Sequence, residues 1–271
     1  MKDCIKKELN NLDKVDKYAK KGIQLDQPDN DVCLIIPALD EAENLALLLP
    51  LLRRQYRVVV VDNASEDNTS EVARQHHAEL VYCPNRGYGN TIMAALQYLD
   101  SGSSHPKVVV IYDADGSSAM ADIQTVAAPI LAQEADLVIG QRTLAQRGSL
   151  LFHAKLGNAL SVMMIHWLTG HRYSDLGPLR AISISTLFSL DMVDRTWGWN
   201  VEMQMKAVWH NLKILEIPIV YKKRRFGRST ISGSIWGSIR AGSKILSRII
   251  YFKVQHMFRS SEQSLTEYNV Q

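Results

Sequence analysis

Residues Val108–Gly116 read VVVIYDADG, an apolar run that ends in two carboxylates and a glycine. A continuous Val/Ile run is typical of a strand that is buried on both faces, as in a parallel sheet. Asp113 and Asp115 then follow the carboxyl end of this strand, where open α/β sheets bind ligands. Residues two apart on an extended chain point to the same side, so both carboxylates can reach one crevice. Two oxygen donors there suit Mg²⁺ or Mn²⁺ holding a diphosphate; a simple Asp/Gly turn is the alternative.

Four further strand-like runs alternate with helical patterns along the first half of the chain. They are Val32–Ile36, Arg57–Val61, Leu80–Tyr82 and Asp136–Gly140. This alternation predicts an α/β fold, in which a mostly parallel, Rossmann-like sheet carries helices on both faces. Because most of the unusual polar residues follow these strands, we expect one ligand site at the carboxyl edge of the sheet.

The composition is that of an ordinary globular protein. The 271 residues are 46% hydrophobic and 22% charged, and the net charge of +3 does not by itself indicate a polyanionic partner. The three cysteines are odd in number and lack metal-ligand spacing, which favours a reducing, cytoplasmic location. We find no secretory signal in residues 1–21 and no apolar run of transmembrane length, so we expect neither.

The C-terminal part has a different charge pattern. Between Lys222 and Arg259 there are ten Lys or Arg residues and no Asp or Glu. On a helical projection, Ser234–Phe258 separates an apolar face from a basic face, which suits peripheral contact with a membrane surface. The alternative is that the apolar face packs on the protein's own core. The predicted divisions are a polar extension (1–30), a main domain (31–231) and a basic amphipathic helix with its tail (232–271).

The loops after the first three strands contain residues suited to nucleotide binding. Asp62 follows the second strand, where a carboxylate can accept a hydrogen bond from a base or a ribose hydroxyl. The glycines of Asn85–Asn90 either let backbone amides approach a phosphate or form a tight turn. Glu41 stands at a helix start, where the helix dipole favours an acid in any case.

The order of these motifs, with three more in the second half, resembles the GT-A glycosyltransferases of family 2. The later motifs are DLGPLR at 175–180, WNVE at 199–202 and RFGRS at 225–229. The resemblance covers about Val32–Ser243, and the second half is most similar to the polyprenyl- and dolichyl-phosphate sugar synthases. It implies that the main domain has the GT-A fold and binds a nucleotide-sugar donor.

The resemblance also implies roles for individual residues. Donor binding is implied for Pro37, Leu39, Glu41, Asp62, Asn63, Gly89, Asp113, Ala114, Arg142, Arg180, Arg225 and Ser229. Within that set, Asp62 would read the base and Asp113 would lie near the ribose. Asp113 and Asp115 are the implied ligands of Mg²⁺ or Mn²⁺, Asp115 the more direct of the two. Catalytic roles are implied for Asp115, Arg228, Glu202 and Asp175, the last two as candidate bases.

The implied reaction is metal-dependent, inverting transfer of a hexose from a UDP- or GDP-sugar to a polyprenyl phosphate at the cytosolic membrane face. A phosphate acceptor is already anionic, whereas a soluble hydroxyl acceptor, the main alternative, needs Glu202 or Asp175 to take its proton. Two remoter alternatives are a nucleotidyltransferase, whose glycine-rich loop should follow the first strand, and a non-catalytic module that binds membranes or nucleic acids. We expect no nucleic-acid partner. The sugar, the base and the oligomeric state stay open.

Overall fold

The computed structural model describes residues 29–142, 152–226 and 235–268, which form one seven-stranded sheet with eight helices. The strands are β1 (Asp29–Ala38), β2 (Tyr56–Asp62), β3 (Glu79–Tyr82), β4 (Val108–Ile111), β5 (Leu137–Gln141), β6 (Arg180–Ser183) and β7 (Ile214–Pro218). The helices are α1 (Ala42–Leu52), α2 (Thr69–Gln75), α3 (Tyr88–Ser101), α4 (Met120–Leu131), α5 (Phe152–Thr169), α6 (Ile184–Ser189), α7 (Trp199–Trp209) and α8 (Ile235–Tyr268).

The sheet is mixed but mostly parallel, which confirms the predicted fold class. The strand order is β3-β2-β1-β4-β6-β5-β7. Among the described strands, β6 runs antiparallel to β4 and β5, whereas the other pairs are parallel. The short helix α6 follows β6 directly and was not predicted from the sequence.

The central strands are buried on both faces, as the continuous apolar runs predicted. Alternate residues of β4 point to opposite sides, Val108 and Val110 to one core and Val109 and Ile111 to the other. The first core is covered by α1 and α4, and the second by α3, α7 and α8. Cys33 of β1 is fully buried, and this burial raises the pKa of its thiol to about 12, so it is an inert core residue.

The strand register brings several loops to one edge of the sheet. In the parallel pairs, Ala38 lies beside Asp62, so β1 and β2 end together. Because β6 runs in the opposite direction, its first residue, Arg180, pairs with Ile111 at the end of β4. The loop that precedes β6 therefore meets the loops that follow β1, β2 and β4.

The C-terminal helix α8 packs on the domain through part of its apolar face. It contacts α5 and α7, and its residues Ile249 and Phe252 are buried in the second core. The Arg248 guanidinium also pairs with the fully buried Asp194. Other apolar residues of α8 stay exposed, so the helix serves the core and also presents an apolar surface. No helix among the described residues is long and apolar enough to span a bilayer.

Candidate active site

A cavity of about 600 Å³ opens at the edge of the sheet where β1, β2 and β4 end. Its walls also include the start of α3 and parts of α5, α7 and α8. Eight residues predicted to bind the donor or metal line it, namely Pro37, Leu39, Glu41, Asn63, Asp113, Ala114, Asp115 and Arg142. The structure thus brings these eight together in space, and their individual roles stay predictions.

Asp113 and Asp115 face the cavity from the turn after β4. The Ser117 N–H donates to Asp115 Oδ1 over 2.9 Å, and Gly116 completes the turn with a φ of +69°. Burial, and then the charge of the neighbouring Asp115, raises the pKa of Asp113 to about 7. Two crowded and desolvated carboxylates of this kind favour a nearby cation.

Glu41 turns its carboxylate into the same cavity rather than onto the helix end that follows it. Its Oε1 accepts from Arg224 Nη1 over 2.7 Å, and its Oε2 accepts from Asn44 Nδ2 over 2.6 Å. Burial raises the pKa of Glu41 although both partners oppose the shift. The simple capping role that the sequence allowed is absent, since the side chain makes no cap hydrogen bond to α1.

The acids of the cavity can hold a hard divalent cation only if another molecule supplies the remaining coordinating oxygens. In the described ranges no group of three or more His, Cys, Asp or Glu side chains forms a metal cluster. Mg²⁺, however, commonly takes one or two carboxylates and completes its shell with phosphate oxygens and water. Asp113 and Asp115 therefore suit a cation that is shared with a diphosphate.

Of the two residues at the end of β2 and just beyond it, Asn63 lines the cavity and Asp62 does not. Asp62 is buried, accepts from the Ser65 N–H over 2.8 Å and from the Ser70 hydroxyl, and so braces its own loop. The predicted contact between the Asp62 carboxylate and the base is thus not supported by the structure. Asn63 uses its amide to bind the backbone of the loop that leads to α3, including the Gly87 N–H at 2.9 Å.

The two glycines before and within α3 allow a close backbone approach to protein, not to a ligand. A Cβ at Gly87 or Gly89 would lie 2.4 Å or 2.1 Å from a carbonyl oxygen of the 194–195 backbone. Gly87, at φ +142°, borders the cavity, whereas Gly89 is buried away from it. The predicted contact of Gly89 with the donor thus gains no support from the structure, since the 194–195 backbone lies beside this residue.

Asp175 holds Arg142 in place. Arg142 Nη2 donates to Asp175 Oδ1 over 2.6 Å and Nε donates to Oδ2 over 2.8 Å, while Arg142 lines the cavity. Burial alone would raise the pKa of Asp175, but the hydrogen bonds and charge of Arg142 hold it below its ordinary value. A carboxylate so firmly ionised and paired is a poor base, which argues against the role predicted for Asp175.

Arg180 lies in the core, not in the donor site. It is fully buried, and it donates to the carbonyl oxygens of Gly177 and Asn200 over 2.8 Å each. Burial lowers its pKa to about 10. The structure does not support the predicted donor contact, because the guanidinium joins the loop before β6 to α7 and does not line the cavity.

Glu202 also takes a structural position. Its carboxylate is fully buried, accepts from the Val193 and Asp194 N–H groups over 2.8 and 2.7 Å, and pairs with Lys206 at 2.8 Å. It does not line the cavity. Because both oxygens bind protein groups, the structure gives the predicted catalytic base no support.

The late basic loop reaches the site through Arg224, which the sequence reasoning missed. Arg224 lines the cavity, whereas the predicted Arg225 is exposed and contributes only its N–H, 3.2 Å from the Asp115 carbonyl oxygen. Of these two arginines, Arg224 is therefore the one whose side chain faces the cavity. Arg228 and Ser229 lie outside the described residues.

The far half of the cavity was also missed. It is lined by α5 and α8 through small and polar side chains, His153, Ala154, Gly157, Asn158, Ser161, Gly242 and Lys244. His153 Nε2 is buried there without a hydrogen-bond partner among the described residues. The spacing of the small residues on one face of α5 was the available signal.

An α/β sheet with carboxylates and arginines around a cavity at its carboxyl edge is typical of enzymes that bind phosphorylated ligands. Residues 33–187, more than half of the chain, match the family model described as glycosyl transferase family 2, and the chain belongs to this family. The predicted family is therefore confirmed.

Two sequence relatives cover most of the chain. An uncharacterized glycosyltransferase of Mycobacterium bovis is 34% identical over 212 residues, which are 78% of this chain and 94% of that protein. The undecaprenyl-phosphate mannosyltransferase of Micrococcus luteus is 30% identical over 231 residues, which are 76% and 89% of the two chains. These similarities agree with a glycosyltransferase enzyme.

A solved structure supports the same fold. Glucosyl-3-phosphoglycerate synthase from Mycobacterium tuberculosis, in complex with Mn²⁺, UDP and glucosyl-3-phosphoglycerate, superposes with a TM-score of 0.62. The match covers 86% of this chain and 81% of that chain at 17% identity. At this identity the likeness shows the fold alone, which is GT-A as predicted.

Proposed function

We propose that this enzyme transfers a hexose from a UDP- or GDP-sugar to a polyprenyl phosphate, with inversion and with Mg²⁺ or Mn²⁺. The observation that carries the proposal concerns the two candidate bases, Glu202 and Asp175. Both use their carboxylate oxygens for hydrogen bonds to the protein itself. A hydroxyl acceptor would need such a base, whereas a phosphate acceptor brings its own anionic oxygen. The name of the Micrococcus luteus relative supports the same acceptor class.

The donor end of the proposed site is the acidic half of the cavity. A bound metal would stabilise the charge that develops on the departing diphosphate. Asp113 and Asp115 would hold it from the turn after β4, close to Glu41. Arg142, oriented by Asp175, would present a fixed positive charge to the phosphates.

The acceptor end is the part of the cavity between α5 and α8. The outer faces of these two helices carry exposed apolar residues, Phe152, Leu156, Leu160, Met163 and Trp167 on α5 and Ile250, Tyr251, Val254, Met257 and Phe258 on α8. Exposed apolar stripes next to basic residues suit peripheral binding to an anionic bilayer. Such contact would bring the phosphate of a membrane-embedded polyprenol to the open end of the cavity.

The test is nucleoside diphosphate release with Mn²⁺, from UDP-glucose and GDP-mannose in turn, with and without a short polyprenyl phosphate. We expect one donor to turn over and its turnover to rise with the lipid phosphate. Asp115→Asn should lower that rate by at least about 100-fold, because the metal contribution is lost. Asp100→Asn, which replaces an exposed acid of α3 outside the cavity, is the control and should retain much more activity.

Two results would contradict the proposal. Turnover that responds to a soluble hydroxyl compound but not to the lipid phosphate would exclude the acceptor and keep the glycosyltransferase. Equal rates for the wild-type and Asp115→Asn enzymes would exclude the metal role of the acidic half.

A further inference from the structure

Arg224 contacts two carboxylates of the acidic half at the same time. Its Nη1 lies 2.7 Å from Glu41 Oε1 and its Nε lies 3.4 Å from Asp115 Oδ2. The Arg224 side chain is 27% exposed, and those of Glu41 and Asp115 are 8% and 12% exposed. Ion pairs this sheltered are screened by salt much less than surface pairs. A ligand that binds Glu41 or Asp115 must therefore compete with Arg224.

The other described arginines of the cavity wall are already engaged elsewhere. Arg142 is bound by Asp175, and Arg86 lies 3.6 Å from Glu66, both acids outside the cavity. Three acids line the cavity, namely Glu41, Asp113 and Asp115. Arg142 still acts on Asp113 through its charge, but among the described arginines of the cavity wall Arg224 is the one that lies within ion-pair distance of Glu41 and Asp115.

The segment around Arg224 is anchored to the turn that bears the aspartates. The Lys222 N–H donates to the Ser117 carbonyl over 2.7 Å, and the Arg225 N–H donates to the Asp115 carbonyl over 3.2 Å. Arg224 stands between these two anchors. Its guanidinium thus lies beside Asp115 Oδ2, whereas Asp115 Oδ1 accepts from the Ser117 N–H.

We propose that Arg224 is an internal counter-ion that competes with the divalent cation for Asp115 and then binds the diphosphate of the donor. A cation that arrives alone must displace Arg224, which lowers its apparent affinity. A diphosphate gives the displaced guanidinium a new partner of suitable geometry. Cation and diphosphate should therefore strengthen each other's binding. This inference rests on the proposed metal–diphosphate function of the site.

The test measures Mn²⁺ binding by the loss of the free-ion paramagnetic resonance signal, without any turnover. Wild type, Arg224→Gln and Arg74→Gln are titrated alone and then with UDP or GDP. Without nucleotide, we expect Arg224→Gln to bind Mn²⁺ about tenfold more tightly than wild type, whereas Arg74→Gln, which replaces an exposed arginine of α2 that does not line the cavity, should match wild type. With the preferred nucleotide, Mn²⁺ affinity should rise more in wild type than in Arg224→Gln.

Equal or weaker Mn²⁺ binding by Arg224→Gln in the absence of nucleotide would overturn the competition. An equal gain from nucleotide in both proteins would overturn the transfer of Arg224 to the diphosphate. Asp115→Asn separates this inference from the proposed function. If that variant binds Mn²⁺ as wild type does, the metal site itself is excluded. If it loses Mn²⁺ and Arg224→Gln does not gain it, only the role of Arg224 fails.

Discussion

Glu202 illustrates how the surroundings of one carboxylate decide what it can do. The sequence pattern of an acid at the start of a helix is the same for a base and for a structural acid. In this protein both oxygens accept from the backbone of loop 193–194, and Lys206 balances the charge. A base needs a free oxygen within reach of the substrate proton, and this carboxylate has none to offer.

Replacement of Glu202 by Gln should therefore destabilise the protein rather than abolish catalysis. We expect the free energy of unfolding to fall by about 3 kcal/mol, because Lys206 is left without its buried partner. The kcat of the folded enzyme, measured at low temperature, should change by less than about tenfold. Urea unfolding and initial rates check the two parts. Unchanged stability with activity reduced more than a hundredfold would restore the base and the hydroxyl acceptor.

Asp122 leads to a prediction for how the stability of the protein changes with pH. Burial raises its pKa to about 6 although the Val220 N–H donates to it. Below the ordinary pKa the folded and unfolded states are both protonated, and as pH rises to about 6 the unfolded state ionises first, so stability falls. Asp122→Asn cannot ionise and should not show this loss. The free energy of unfolding of the variant, taken relative to wild type, should therefore be about 1 kcal/mol higher at pH 7.5 than at pH 4, after allowance for the partial exposure of Asp122.

Urea unfolding of both proteins at the two pH values checks the Asp122 prediction. Asp100→Asn, which replaces an exposed acid at the end of α3, serves as the control for the change of an acid to its amide. A larger advantage for Asp122→Asn at pH 4 than at pH 7.5 would reverse the sign and refute the prediction.

The packing of α3 against loop 194–196 depends on Gly89, which has no side chain. At Gly89 a Cβ would meet the Asp194 carbonyl oxygen at 2.1 Å, and such a contact forces the helix and the loop apart. We expect Gly89→Ala to lower the free energy of unfolding by about 2–3 kcal/mol. Since Thr196 and Trp197 of this loop region line the cavity, the donor affinity should also fall.

Gly157→Ala is the matched control for that substitution. Gly157 lies inside α5, and a Cβ there would meet no atom within 4 Å. This variant should gain up to about 1 kcal/mol, because alanine favours the helix over glycine. Thermal unfolding of the two variants side by side decides the matter. If the two variants have the same melting temperature, the close approach at Gly89 does not contribute to stability.

At the level of strands and helices, periodicity was enough for most of the architecture. The continuous Val/Ile runs predicted β1, β2 and β4 because burial on both faces leaves no polar alternation. The direction of β6 could not be predicted, since its four residues pair with β4 and β5 through contacts distant in sequence. Of the two interpretations of α8, packing on the core is supported by the buried Ile249 and Phe252, whereas peripheral contact with a membrane stays a prediction.

The arrangement of α5 and α8 makes a prediction for the entire domain. Trp167 is 77% exposed on the outer face of α5. Trp167→Glu should reduce binding to vesicles that contain anionic lipid by about tenfold, because an interfacial aromatic is lost and a repelled charge is gained. Tyr82→Glu, which changes an exposed aromatic of β3, is the control and should bind as wild type does.

Vesicle co-sedimentation at low and moderate salt checks this prediction. The wild-type interaction should weaken as salt rises, because the basic residues act through a screened surface potential. Equal losses for Trp167→Glu and Tyr82→Glu would show that α5 is not the contact surface. If wild-type protein does not co-sediment with the vesicles, peripheral membrane binding is contradicted.

The division of the chain at residues 30 and 231 remains a prediction.

The sequence by itself determined the fold class, the family and the edge of the sheet where the site lies, because these depend on local periodicity and on motif order. Only the tertiary structure decided which acids and arginines enter the cavity. Arg224 and Glu41 are 183 residues apart in the chain, yet their side chains are paired. Asp62 and Glu202 are acids like Glu41, and Arg180 is an arginine like Arg224, yet these three side chains are buried in the protein. Which partner satisfies a buried charge depends on distances between remote segments, and no local pattern encodes them.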